Sequence, residues 1–338
     1  MTPSPLAALT AWKGSPKDVA RWAFWVPFRD LLDPTKPEQL RRLYPLWRAQ
    51  HGLAGGQRRL MEDELRACFP EVSDTAALVE EAYRVAFRVH LEELLLGKLD
   101  ATTWPLYMRF ERQDHLEQAL ARGRGAIIAI PHAGNVMMLI AALSLGGYRY
   151  TQYAARGLAP DDVAAANPET FGHNRWRTRV RSTREANEDR LPARYLDLRH
   201  SVRELYRRLG NNELVGIAYD GRIGQRFEPT PYLGRTALLN PGAFKLAAST
   251  GAAIVGGLCA CPEDGPNVLQ FGAPIWGDDA QDLQTRFYGQ VAEPFLRRHP
   301  GHYGIWLAHC RERRAVDDHP LFVDYAPDER WQKWTRRA

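Results

Sequence analysis

Hydrophobic positions follow two different rhythms along this chain. Up to about residue 120 they recur three or four apart, as amphipathic helices require, in PEQLRRLYPLWRAQHG, GGQRRLMEDELRACFP, DTAALVEEAYRVAFRVHLEELLLG and RQDHLEQALARG, each closed by Gly or Pro. Ser73 and Asp74 precede the third as a plausible cap. Beyond residue 120 short continuous apolar runs alternate with helical patterns. GAIIAIP is a strand and NVMMLIAALSLG a helix, and YRYTQYAA is a further strand. HSVRELYRRLGNNELVGIAYDG reads as helix, turn and strand, and so does NPGAFKLAASTGAAIVGGLCAC. Continuous apolar strands between helices predict an α/β fold, with a mostly parallel central sheet covered by helices on both faces. The expected division is an N-terminal helical extension over 1–120, an α/β domain over 121–315 and a C-terminal tail over 316–338, folded back on the domain.

Two segments admit a membrane reading. DVARWAFWVPFRDLL (18–32) is either a helix packed on the core or an interfacial anchor that dips Trp22, Phe24, Trp25 and Phe28 into a lipid surface. Residues 126–148 form 23 positions without formal charge, enough to span a bilayer. Pro131, His132, Gly134 and Asn135 interrupt that run, and hydrocarbon penalises such groups. A buried strand, a turn and a buried helix are therefore expected instead. The N-terminus shows no basic start followed by an apolar stretch, so a cytoplasmic location is expected, with peripheral attachment to the inner face of the cell membrane as an extension.

Composition narrows the partners. The chain has 338 residues, 45% hydrophobic and 25% charged, with a net charge of +5. That bias suits phosphates or a membrane surface rather than nucleic acid. Eleven arginines lie between positions 175 and 208. They form either a solvated helix face or a docking surface for phosphates of coenzyme A, a carrier protein's phosphopantetheine or a lipid headgroup. Cys68, Cys259, Cys261 and Cys310 read as buried free thiols, and no metal set is expected. No nucleophile elbow, phosphate-binding loop, dinucleotide fingerprint or His-Glu-x-x-His occurs.

Chemistry in open α/β sheets collects where strands end. AIIAIP ends at His132 and LVGIAY at Asp220-Gly221-Arg222, so both are expected on one rim. A helix start beside His132 favours a neutral imidazole able to accept a proton. Gly134 admits a close approach to the backbone, and first-turn amides offer oxyanion donors. A lone histidine is otherwise a core residue satisfied by a neighbour, and Asp220 a loop cap.

PHAGNVMML resembles the His-x-Gly-Asn-Trp-Glu block of the lipid A biosynthesis late (lauroyl/myristoyl) acyltransferases, within the lysophospholipid acyltransferase-like superfamily. RRLMEDELRACFPEVSD, DHLEQALARGRGAIIAIPHAG, YDGRIGQRFEPTPYLGRTALLNPGAFKLAASTGAAIVGG and PGHYGIWLAHCRERR are similar to further blocks of that family, in order over residues 55–315. The resemblance implies a glycerolipid acyltransferase-like fold. It also implies acyl transfer from an acyl carrier protein or acyl-CoA thioester to a hydroxyl or amine of a small-molecule or lipid acceptor, with no other cofactor. His132 inherits the role of general base, and Asp220 and Arg222 that of acceptor binding or orientation. Gly134, Asn135, Met137 and Arg235 fall on substrate-binding positions. Met137 stands where the family pattern has Glu or Asp, and a thioether accepts no strong hydrogen bond. Either the base works without a partner, or another carboxylate, Asp220 or Glu185, replaces the missing one, or the chain keeps the fold as a non-catalytic binder. The departure favours a specialised metabolite pathway over routine lipid A synthesis.

Overall fold

The computed structural model describes residues 16–46, 55–154, 175–198, 202–224, 226–313 and 319–325. The N-terminal part is helical: α1 (Pro16–Ala23), α2 (Pro37–Leu43), α3 (Gly55–Cys68) and α4 (Thr75–Glu93). Asp74 caps α4 by accepting from the Ala77 amide at 2.9 Å. Then come β1 (Met108–Glu111), α5 (Gln113–Ala121), β2 (Ala126–Ile130), α6 (Val136–Leu145) and β3 (Tyr150–Ala154). Next are α7 (Arg175–Glu188), β4 (Arg194–Asp197), α8 (Arg203–Gly210), β5 (Leu214–Ala218), β6 (Glu228–Tyr232) and β7 (Arg235–Leu239). The chain continues through α9 (Gly242–Thr250), β8 (Ala253–Ala260), β9 (Asn267–Phe271), α10 (Ala280–Phe287), α11 (Glu293–Arg298) and α12 (Gly304–Arg313).

Seven strands form one sheet in the order β1-β9-β8-β2-β5-β3-β4. All neighbours are parallel except β8 and β9. The α/β class and the mostly parallel sheet are thus as the hydrophobic runs predict. Central β2 is buried along its whole length, which is why AIIAI shows no alternation. Strands β1, β4 and β9 and the β6–β7 hairpin are not among those read from the sequence; β1 and β4 are edge strands of four residues, MRFE and RYLD, with no apolar run to betray them. β1 lies inside the stretch expected to be helical, so the sheet draws on residues before 121. β4 lies inside the arginine-rich stretch.

The uncharged run at 126–148 divides into β2, a turn and α6, as expected. Among the described residues no helix is long and apolar enough to cross a membrane. The aromatic segment after α1 packs against α7. Trp22 meets Trp176 at 4.9 Å between ring centres, Arg184 lies 4.8 Å over Trp25, and Asp18 pairs with Arg177 at 2.7 Å. Trp25 is buried, and Trp22, Phe24 and Phe28 are partly so. Of the two readings of 18–32, the packed helix is what the structure shows.

The β6–β7 hairpin turns through Leu233 and Gly234, both at positive φ, as a two-residue turn matching the strand twist requires. The described part of the tail folds back on this hairpin. The Leu238 amide donates to the Leu321 carbonyl at 2.8 Å and the Val323 amide to that of Thr236 at 3.0 Å, while Phe322 and Tyr325 are buried.

One buried carboxylate ties the helical extension to the sheet. Glu92 on α4 accepts from Arg88 Nε at 2.8 Å, Tyr44 Oη at 3.0 Å, Asn135 Nδ2 at 2.8 Å and Asn267 Nδ2 at 2.6 Å. Removing it leaves the buried Arg88 guanidinium without its counter-charge and takes an acceptor from the Asn135 and Asn267 amides. Glu92→Ala is therefore expected to lower the free energy of unfolding by about 3–5 kcal/mol in a denaturant titration; a loss below about 1 kcal/mol would contradict this account of the junction.

Candidate active site

Sheet register makes the site. β2 and β5 run parallel with Ile130 opposite Ala218, so two residues further on His132 and Asp220 emerge side by side. Both strands have ended there, which leaves the side chains free to meet rather than to fill the core. His132 Nδ1 lies 2.6 Å from Asp220 Oδ1, and the His132 amide donates to Oδ2 at 2.9 Å. Tyr303 Oη donates to Oδ2 at 2.9 Å. Asp220 is fully buried, whereas the His132 side chain is 37% exposed. Burial, then the neighbouring Asp220 charge, pushes the Tyr303 hydroxyl well above the ordinary phenol range, so it stays a donor. A carboxylate collecting three donors acts as an acceptor, which puts a proton on Nδ1 and leaves the Nε2 lone pair free.

The turn between His132 and α6 explains the glycine. Gly134 sits at φ +64°, and a Cβ there would lie 1.8 Å from the Cys259 carbonyl oxygen. Its amide donates to His302 O at 3.3 Å, and that of Asn135 to Cys259 O at 3.1 Å. Asn135 caps α6 by accepting from the Met138 amide at 3.1 Å. Three of the amides expected to face an oxyanion are thus occupied. Those of Val136 and Met137 are the first-turn donors without an acceptor among the described residues.

The remaining expected site residues separate. Asn135 is fully buried, with its amide nitrogen on Glu92, so it shapes the turn from beneath. Arg222 follows Asp220, but its guanidinium bonds the carbonyls of Asp220, Gly221, Leu238 and His319 and lies 4.8 Å over Phe227. It pins the loop. Arg235 is elsewhere, in a partly buried cluster with Glu64 at 2.7 Å, Asp324 at 2.6 Å and the Phe322 ring at 3.8 Å. Burial lowers its affinity for the proton, but these carboxylates outweigh that and raise it. Met137 borders a small cavity with Trp25, Glu93 and Arg184. The carboxylate on His132 is Asp220, not Glu185 of α7.

Two aromatic residues of the site were not anticipated. Tyr303 holds Asp220, and Trp306 stacks on His132 with ring centres 3.9 Å apart and planes 11° from parallel. Both come from PGHYGIW, where the pattern shows aromatic residues but nothing that says which strand ends they meet. His302 in the same segment accepts from the Cys261 amide at 2.8 Å and lies 3.2 Å from Glu81. The four cysteines are buried and unbridged, as expected, and burial pushes the Cys68 thiol up to about 12. A narrow apolar cleft of about 10 Å³, room for about one water molecule, lies below the rim. Its lining includes Pro131 and Tyr219, the residues just before His132 and Asp220, with Gly256, Val291 and Phe295.

Gly134→Ala tests the turn. Left-handed strain of about 1–2 kcal/mol and overpacking of about 1–3 kcal/mol add, so a loss of about 2–5 kcal/mol is expected in thermal or denaturant unfolding. A variant within about 0.5 kcal/mol of the parent would show that the turn does not need glycine.

A family profile described as bacterial lipid A biosynthesis acyltransferase matches residues 48–309. No curated protein matches the chain. The matched span contains His132, Asp220, Tyr303 and Trp306, and runs from the helical extension through the whole seven-stranded sheet. On a match covering well over half of its length, the chain belongs to the bacterial lipid A biosynthesis acyltransferase family.

Proposed function

We propose that the protein transfers an acyl group from a thioester to a hydroxyl or amine, with His132 as general base. One observation carries this reading: a histidine side chain 37% exposed at a sheet rim, with its imidazole held at 2.6 Å by a buried carboxylate. His132 Nε2 takes the proton of the acceptor O–H or N–H as that oxygen or nitrogen attacks the thioester carbonyl carbon. The tetrahedral intermediate collapses by breaking the C–S bond, and the imidazolium returns its proton to the departing thiolate. The first-turn amides of Val136 and Met137 are the backbone candidates for the oxyanion. Asp220 keeps Nδ1 protonated and stabilises the positive charge that the ring acquires. The acid missing at Met137 is thereby supplied from the neighbouring strand, which removes the main feature favouring a non-catalytic binder.

The donor is an acyl-CoA or an acyl carrier protein. The phosphates of either donor suit the arginine-rich surface, although at least four of its eleven arginines form ion pairs within the chain. Arg177, Arg184, Arg207 and Arg208 pair with Asp18, Glu93 and Glu204, while Arg179 and Arg181 are exposed. The acceptor belongs to a specialised metabolite or lipid pathway, and the work takes place in the cytoplasm or at the inner face of the membrane.

Transfer assays with acyl-CoA and acyl carrier protein donors test the reading. His132→Ala is expected to reduce kcat by at least about 10³-fold, and Asp220→Asn by about 10²- to 10⁴-fold with little change in KM. Equal turnover in parent and His132→Ala would end the assignment. Met137→Glu is expected to raise turnover by less than about 3-fold and to destabilise the fold, because it adds a carboxylate beside Glu93 with the base already paired; a gain of about 10-fold or more would show that Asp220 does not serve as the partner.

A further inference from the structure

We propose that Trp306 is a positioning residue whose indole face stabilises His132 in its cationic state. The inference rests on the reading of His132 as base. At 3.9 Å and 11° this is the shortest ring pair among the described residues. Neutral aromatic pairs avoid such face-to-face contact, because like faces of two quadrupoles repel; they prefer offset or edge arrangements with centres about 4.5–7 Å apart. The other described ring pairs keep to that range, from Phe227–His319 at 4.6 Å to Phe110–Tyr148 at 6.4 Å. The His132 stack becomes favourable when one ring carries a positive charge over the electron-rich face of the other.

The indole is not placed there by its own polar atom. A buried tryptophan usually satisfies its N–H, yet Nε1 of Trp306 is buried with no acceptor among the described residues. What the position uses is the ring face. α12 carries Trp306 immediately after the segment with Tyr303, so one stretch of chain serves both members of the pair, Tyr303 through Asp220 and Trp306 through His132. In the proposed reaction the ring gains its charge as the acceptor loses its proton, so a contact that strengthens with that charge lowers the barrier rather than tightening ground-state binding. Among the described residues, the other titratable or charged groups tied to the ring are Asp220 on Nδ1, Tyr303 and Arg222 through their bonds to Asp220, and His309, which stacks on Trp306 at 5.3 Å.

Site-specific incorporation of mono-, di- and trifluorotryptophan at position 306 of the full chain weakens the ring face while keeping its shape. Two readouts are followed: kcat with an acyl-CoA donor, and the His132 Cε1–H resonance in a histidine-labelled sample. Expected are a stepwise fall in kcat with each fluorine, about 2- to 30-fold in total, the worth of a cation–π contact, with KM unchanged. Trp306→Leu falls at least as far as the trifluoro form, and Trp306→Phe recovers part of the loss. In the resonance, the parent shows the upfield displacement of a proton over an indole, and at a fixed mildly acidic pH the protonated fraction of His132 falls in the same order. A flat series in the protonated fraction, or a His132 resonance without ring-current displacement, overturns the proposal whatever the turnover. Absence of thioester turnover in every form, with the protonated fraction still falling, sinks the acyl-transfer reading and leaves this inference standing.

Discussion

The contact on which the site depends is the buried carboxylate of Asp220, shared by a strand end, a histidine ring and a tyrosine. A buried charge without partners costs several kcal/mol, so its donors must be in place whenever the fold is. That requirement couples three parts of the chain far apart in sequence: the end of β2, the end of β5 and the segment entering α12. The same donors define the chemistry. The carboxylate that needs them fixes which nitrogen of His132 is occupied, and therefore which is available.

A second layer of constraint lies beneath. Gly134 brings the His132 turn into contact with β8, and Asn135 carries it down to Glu92, where Arg88, Tyr44 and Asn267 converge. The helical extension is thus wired into the turn that presents His132, through α4 above all. Three residues expected at substrate-binding positions make scaffold contacts: Asn135 in the turn, Arg222 in the loop after Asp220, Arg235 at the junction of α3, the hairpin and the returning tail.

Much of the architecture was legible because continuous apolar strands leave a mark. AIIAI and AIVGGLCA are buried throughout and LVGIA over its first three residues, so their composition alone separates them from the helices between them. Edge strands β1 and β4 bury too little to leave that mark. His132 and Asp220 were legible as residues at strand ends, but their pairing was only one option beside Glu185 and needed the β2–β5 register to decide. Tyr303 and Trp306 escaped because aromatic residues in a helical segment look like core from sequence alone. Met137 shows the converse. A missing motif acid suggests lost chemistry, yet the neighbouring strand offers a carboxylate at hydrogen-bonding distance.

The central claim concerns one lone pair, and nitrogen NMR of histidine-labelled protein reads it directly. With the ring neutral, the account predicts the Nδ1–H tautomer for His132, its Nδ1 proton shifted far downfield by Asp220 and its Nε2 resonance that of an unprotonated nitrogen. Finding the proton on Nε2 would mean that the open nitrogen is a donor, and His132 would then be no base for an incoming acceptor.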